Sequence, residues 1–449
     1  MNPFDNDKDR NYLFNIASGK SVSDAACDFL LNCYETGKHA HEEFLNECLE
    51  DPNRFEENIK RQKVVTFATA VKKQKSTDKD NKIQAIGMMR DLFGSILYLV
   101  LQKRVDMATT LRYPLTPYSF VLCHCDGSGL TTAKSRLLKH LETTILPEDP
   151  TNINVKIIDS IFYLHQQANL LPSRYGGVSE HILRSICRSE GKIIHLVFDK
   201  TVSPSIKDTE RNEGSSEVRS VPFVIAGPGQ TRPSKWQQAL RSDVFKNEIV
   251  QFLINSWAGE KYVNILGEKV LYANCGDICY SYKVVDGQVI RRIEPLLFST
   301  HEEADSRMLF HLTSTDTSGE VVIRTNDTDV LIALLGCYER LRHDINVWLE
   351  MGLQRSNNNL RYVTVSKMYL KLRSTLSRAL LGLHALTGSD YTVAFSRKGK
   401  ITRFVQIKKH RRSTCLWIFG VSEEVSPENV LKIEKFVCEF VWLQELFLH

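Results

Sequence analysis

Apolar residues recur at helical spacing through the first 115 residues, and from about residue 154 they collect into short unbroken runs. In the first part, Ala26, Phe29, Leu30 and Cys33 share one face of a helix over Val22 to Tyr34, and Ile83 to Leu101 repeats the pattern. The charged spacer between them, Lys72 to Lys82, reads as a loop. Farther on, Val155 to Ile158, Ile193 to Phe198, Lys269 to Ala273 and Val321 to Ile323 are β-branched and apolar, with helical patterns between them. Runs of that kind are expected of strands in a parallel sheet covered on both faces.

The pattern predicts an α/β fold, with a mostly parallel central sheet flanked by helices and a mainly helical N-terminal region. Residues 1–150 form that region, with no role assigned. Residues 151–400 form the sheet domain, with a loop or arch insertion near 205–260 that includes the Gly/Ser/Pro-rich interval Asn212 to Lys235. Residues 401–449 hold a basic segment and a terminal helical pattern, Pro427 to His449, with no stop signal, so further chain is expected after it.

The candidate chemistry lies where these runs end. Val155-Lys-Ile-Ile-Asp159 and Ile193-Ile-His-Leu-Val-Phe-Asp199 each finish in an aspartate, and Val321-Val-Ile-Arg-Thr-Asn-Asp327-Thr-Asp329 finishes in two. Ligands of open α/β sheets bind at the carboxyl ends of the strands, so these four acids are expected on one rim. A single strand-end Asp is commonly a helix cap, and Asp327 or Asp329 suits that role for a helix over Val330 to Cys337. Thr300 and Glu303 fit a capping box before a helical pattern, which leaves Asp305 unexplained. Asp390 sits on a small-residue turn, His384-Ala-Leu-Thr-Gly-Ser-Asp390-Tyr391. Seven carboxylates in one cleft would repel unless a cation neutralised them. A set of hard oxygen donors suits Mg²⁺ or Mn²⁺, two of which can drive phosphodiester hydrolysis.

Charge sharpens this only locally. The chain of 449 residues has 58 basic and 53 acidic residues, a net +5. From Tyr391 to Ser413, however, eight basic residues (Arg397, Lys398, Lys400, Arg403, Lys408, Lys409, Arg411, Arg412) stand without an acid, and the rest of the chain is 5 − 8 = −3. Such a strip is an electrostatic footprint for a phosphate backbone, and equally the pattern of a solvated loop or a localisation signal. With 42% hydrophobic and 25% charged residues the composition is that of an ordinary globular protein. No apolar run reaches the roughly 18 residues of a membrane span. A polar start at Met1 to Arg10 and eleven cysteines read as reduced thiols, so an intracellular protein of nucleus or cytoplasm is expected, not a secreted one.

Three other patterns carry less. Gly127-Ser-Gly-Leu-Thr-Thr-Ala-Lys134-Ser135 lacks the glycine that a phosphate-binding loop needs before its lysine. Cys123-His-Cys125 and Cys275-Gly-Asp-Ile-Cys279 lack the second half of a zinc site. His301 and His384 lie beside acids and are read as packing or supporting residues.

The order of the acidic motifs resembles the flap endonuclease (XPG-like) group of the PIN-like nuclease superfamily. That group has an Asp after its first strand, then a "VFDG" strand, an "EAEA" helix start, an "EDxD" strand end and an "LLGCDY" turn. Ile157-Ile-Asp159-Ser, Val197-Phe-Asp199-Lys, Glu303-Ala-Asp305-Ser, Asn326-Asp327-Thr-Asp329 and Leu386-Thr-Gly-Ser-Asp390-Tyr391 follow the same order over residues 153 to 400. The resemblance implies a parallel-sheet fold, two Mg²⁺ or Mn²⁺ ions held by Asp159, Asp199, Glu303, Asp305, Asp327, Asp329 and Asp390, and cleavage of nucleic acid, DNA before RNA. Ser203-Pro-Ser-Ile-Lys207-Asp-Thr-Glu-Arg211 looks like the group's proline-then-basic stretch, which would bring Lys207 and Arg211 to the scissile phosphate, with Arg397, Lys398, Lys400 and Arg403 along the backbone. Two features depart from the group: about 150 residues precede the first acidic strand, and a single glycine follows Asp390 where the group has a Gly-Ile-Gly-Pro hairpin. The alternative reading is an inactive nucleic-acid-binding or interaction protein that keeps the fold.

Overall fold

The computed structural model describes residues 24–51, 54–55, 78–102, 105–110, 112, 119, 121–124, 127–200, 223–314, 316, 318–352, 360–390, 392–396, 398–410, 416 and 426–442. The chain divides into two compact units, Met1–Leu115 and Thr116–His449. The first unit contains helices α1 (Asp24–Leu31), α2 (Cys33–Glu50) and α3 (Asp78–Leu101). The described residues of this unit are mostly helical, and α3 starts inside the stretch read as a charged spacer.

In the second unit an eight-stranded sheet runs in the order β5-β4-β3-β2-β1-β6-β7-β8. Its strands are β1 (Ile153–Asp159), β2 (Ile193–Val197), β3 (Val270–Cys275), β4 (Ile278–Val285), β5 (Gln288–Ile293), β6 (Gly319–Arg324), β7 (Ile345–Met351) and β8 (Arg361–Thr364). The five central strands, β3-β2-β1-β6-β7, are parallel, and β4, β5 and β8 pair antiparallel at the two edges. The four apolar runs seen in the sequence are β1, β2, β3 and β6. The chain adds β2 and β3 on one side of β1 and places β6 and β7 on the other, so the topological switch point lies between β1 and β6.

Period-two alternation divides the core between the faces of the sheet. Val155, Ile157, Val197, Val321, Ile323, Val347 and Leu349 point to one side. There they meet α4 (Ser135–Glu142), α8 (Ala304–Ser314), α9 (Thr328–Cys337), α10 (Val365–Leu386) and α11 (Lys400–His410). Ile158, Ile194, Leu196, Leu271 and Ala273 point to the other side, against α5 (Ser160–Gln167), α6 (Tyr175–Cys187) and α7 (Asp243–Ser256). A last helix, α12, spans Pro427–Trp442.

The boundaries differ from those drawn on the sequence for a packing reason. Leu137, Leu138 and Leu141 of α4 and Phe404 and Ile407 of α11 are buried in the sheet's own core, so segments assigned outside 151–400 belong to the sheet unit. Of the expected insertion near 205–260, residues 205–222 lie outside the described residues. Helix α7 is a core layer: Phe245, Ile249, Leu253 and Ile254 are buried beneath the sheet. Lys156, a charge within a buried strand, is explained by Glu350 of β7, whose Oε2 lies 2.8 Å from its Nζ.

Candidate metal centre

Because β2, β1 and β6 are parallel neighbours, their carboxyl ends share one edge. Asp159 is the last residue of β1 and pairs in register with Val197, while Ile158 pairs with Arg324. Asp199 and Asp327 follow two and three residues after β2 and β6 end. The four strand-end acids thus converge beside the switch point, as the sequence pattern implied.

Three of them also accept hydrogen bonds from helix N-termini. Asp159 is the N-cap of α5 and accepts the Phe162 N–H at 3.1 Å. Asp327 is the N-cap of α9 and accepts the Asp329 N–H at 2.9 Å. Asp199 accepts the Ala304 N–H, at the start of α8, at 2.8 Å. Capping and clustering are therefore not alternatives here: helix N-termini carry partial positive charge and make an acidic rim less costly.

Asp305, in the first turn of α8, registers the crowding most strongly. Burial first, then the charges of Asp327, Asp159, Asp199 and Asp329, push its carboxyl up to about 8. Asp327 is also held above the usual carboxylate range, by burial and by Asp329 and Asp390, against the Asp329 N–H and Lys134. Glu303 immediately precedes α8, and its carbonyl accepts the Arg307 N–H at 3.2 Å.

Asp390 is brought in by the turn after α10, where Gly388 adopts φ +94° and an added Cβ would lie 2.8 Å from that of Ala394. Carboxylate oxygens of Asp327, Asp329 and Asp390 all lie within 4.8 Å of one another, and this is the one such trio found among the described residues. Oxygens on opposite sides of Mg²⁺ are about 4.2 Å apart, so a small contraction would let these hard donors share an ion. The donor set fits Mg²⁺ or Mn²⁺.

The residue that sequence reasoning missed is Lys134. Its ammonium contacts Asp390 and lies 3.1 Å from Asp329 Oδ2 and 3.9 Å from Asp327 Oδ1. Burial alone would lower its pKa, but Asp390, Asp327 and Asp329 outweigh that and hold it above the ordinary lysine value. Asp329 is further engaged by His384, whose Nε2 lies 2.9 Å from Oδ1. Burial pushes Asp329 up, but His384 and Lys134 prevail and hold its carboxyl below the usual range. The nearest signal in the sequence is the glycine-containing stretch Gly127 to Ser135, whose pattern points only to an incomplete phosphate-binding loop.

Two cations of the basic strip, Lys400 and Arg403, are not on the exposed surface expected from composition. Lys400 is 3% exposed, and its Nζ donates to the His384 carbonyl at 3.1 Å, to Thr387 Oγ1 at 3.0 Å and to the Gly388 carbonyl. Burial lowers its pKa to about 8. Arg403 is 2% exposed and donates to Gln406 Oε1 at 2.6 Å. These two side chains brace the Asp390 turn and the core, and are not positioned as backbone contacts. Lys398 is half-buried and Lys408 exposed. Lys207, Arg211, Arg397, Arg411, Arg412 and the side chain of Lys409 lie outside the described residues. Of the cysteines weighed for zinc, Cys279 is buried, with its thiol pushed up to about 12 by that burial, and the Cys275 thiol meets Gln251 Oε1 at 3.1 Å. Cys125 lies outside the described residues.

The chain matches no protein-family model and no curated protein. No helix among the described residues is long and apolar enough to cross a membrane.

Proposed function

We propose that the chain is a metal-dependent nuclease of the PIN-like, flap-endonuclease-like type, which hydrolyses phosphodiester bonds of nucleic acid, DNA before RNA. One observation carries this reading: acids from three parallel strand ends and one helix start meet at the switch point, where burial first and then the charges of Asp327, Asp159, Asp199 and Asp329 raise Asp305 to about 8. So many carboxylates in one place are costly for an apo protein and are best accounted for by a resident cation. Mg²⁺ or Mn²⁺ suits the donors, and the family resemblance implies a pair.

The divalent ion would supply Lewis acidity and a more acidic water at neutral pH. The chain's own acids would hold it: Asp159, Asp199 and Asp305 on the β1–β2 side, with Asp327, Asp329 and Asp390 completing the acidic rim on the β6 side. His384 and Lys134 orient Asp329, and Gly388 with Lys400 fixes the turn that presents Asp390. Hydrolysis then adds one water across one P–O ester bond, and exposed cations such as Lys408 of α11 would hold substrate phosphate. An intracellular setting, nucleus or cytoplasm, goes with this reading.

The second reading is a nucleic-acid-binding or interaction protein without catalysis. It is favoured by the Lys134 ammonium standing among three of the acids. A cleavage assay on labelled single-stranded, flap and duplex substrates, with Mg²⁺, Mn²⁺ or EDTA, separates the two. Cleavage that needs the metal and is lost in the Asp327→Asn/Asp329→Asn double variant supports the nuclease. Binding without cleavage of any substrate supports the second reading, and cleavage unchanged in the double variant excludes these acids as the metal site.

A further inference from the structure

Lys134 is held in place by the fold. The segment before it is tied to the strip beyond Asp390: the Ala394 N–H donates to the Leu130 carbonyl at 2.7 Å, and the Ser396 N–H to the Val121 carbonyl at 2.7 Å. Thr132 Oγ1 donates to the Thr387 carbonyl at 2.8 Å. The helix after it, α4, buries Leu137, Leu138 and Leu141 in the sheet core. Backbone on both sides of Lys134 is therefore anchored, and only 21% of its side chain is exposed. A lysine on a free surface loop would sample many rotamers, whereas this one begins from a fixed Cα beside the acids.

The ammonium touches Asp390 and Asp329 and approaches Asp327, the same three residues whose oxygens are close enough to share an ion. A divalent ion bound there would sit about 2.1 Å from those oxygens. That volume already contains the lysine nitrogen and its three protons. One site cannot hold both cations, and like charges so close would repel strongly.

We propose that Lys134 is the built-in cation of the Asp327–Asp329–Asp390 group and takes the place of one of the two divalent ions, so that the chain binds a single Mg²⁺ or Mn²⁺ on the side of Asp159, Asp199 and Asp305. The identity of that ion rests on the nuclease reading. The role of Lys134 rests on its own contacts. In this arrangement the lysine is a positioning residue: it sets the charge and spacing of three acids and fixes the number of ions. It carries one positive charge where a metal carries two, and it does not dissociate when metal is scarce. Half of the site is thereby kept assembled in the metal-free protein.

Manganese titration of the full-length chain, followed by electron paramagnetic resonance of free and bound Mn²⁺, tests this directly. The wild type and Lys134→Arg should each bind one Mn²⁺ per chain. Lys134→Met, which keeps the aliphatic bulk and removes the charge, should bind two, with the spin coupling of a close ion pair. A lysine that served only to stabilise the fold would change the melting temperature and leave the stoichiometry alone. Two ions on the wild type would overturn the proposal whether or not any variant folds, and one ion on both wild type and Lys134→Met would overturn it as well. No ion on the wild type but binding by Lys134→Met would keep Lys134 as the cluster's cation and remove the nuclease reading. No binding by either would remove both.

Discussion

Replacing Asp305 by Asn tests whether the acids repel one another as their placement requires. In the folded chain the Asp305 carboxyl is pushed up to about 8 from 3.8, by burial and by Asp327, Asp159, Asp199 and Asp329. The folded state therefore keeps a proton that the unfolded state releases, throughout the window between about pH 4 and pH 8. Stability must fall as pH rises through that window, by about 1.4 kcal/mol per pH unit. From 3.8 to pH 7 the group costs on the order of 4 kcal/mol, and the solvent that still reaches this half-buried side chain brings the expected figure to about 2–4 kcal/mol. Asparagine has the same shape and no proton to lose, so it removes the penalty. In EDTA, urea unfolding should find Asp305→Asn more stable than wild type by about 2–4 kcal/mol at pH 7, with the gap closing towards pH 4 to 5. Millimolar Mg²⁺ should stabilise the wild type, because binding replaces the proton with a cation, and should stabilise the variant less. If the variant is no more stable than wild type at pH 8 in EDTA, or if the difference does not change with pH, Asp305 does not face the other acids as the fold has it.

The buried pair His195 and His311, whose Nδ1 atoms are 3.0 Å apart, should make the sheet unit sensitive to acid. Burial lowers His311 to about 3 and His195 well below its usual value, so the unfolded chain takes up protons that the folded one refuses and stability is lost as pH falls below about 6.5. In the Asp305→Asn background, where the opposing slope is removed, urea titrations should show a loss of about 2–3 kcal/mol between pH 7 and pH 5.5, and a flat profile would exclude a neutral buried pair. Lys400→Met should destabilise the fold by about 1–3 kcal/mol, because it orphans the carbonyls of His384 and Gly388, and should leave the salt dependence of nucleic-acid binding unchanged. Lys408→Ala should do the reverse, lowering the log–log salt slope by about 0.7–0.9 with little change in stability, as filter binding at several salt concentrations would register.

Local pattern was enough for the middle of the sheet. β1, β2, β3 and β6 are buried on both faces, so continuous apolar runs betray them, and the acids that follow need only the polarity of a parallel strand to reach a common edge. The remaining strands are a different matter. In β5 four of the six positions are exposed and only Val289 is buried, and β7 carries Glu350, which is buried against Lys156 of β1.

The same limit governs the site. Asp159, Asp199, Asp327 and Asp329 were legible because they lie at, or a few residues beyond, the carboxyl ends of β1, β2 and β6. Lys134 was not, since it meets Asp329 across 195 positions of chain and no periodicity encodes that contact. Lys400 and Arg403 misled for the converse reason: composition marks them as basic, but whether a charge lies on the surface or beneath a turn depends on what packs over it. The sequence by itself determined which strands form the middle of the sheet and that acids end them, because those features follow from the chain's own periodicity. Tertiary structure alone decided which cation stands among the acids and which lysines are left to face solvent, because both depend on distant segments meeting in space.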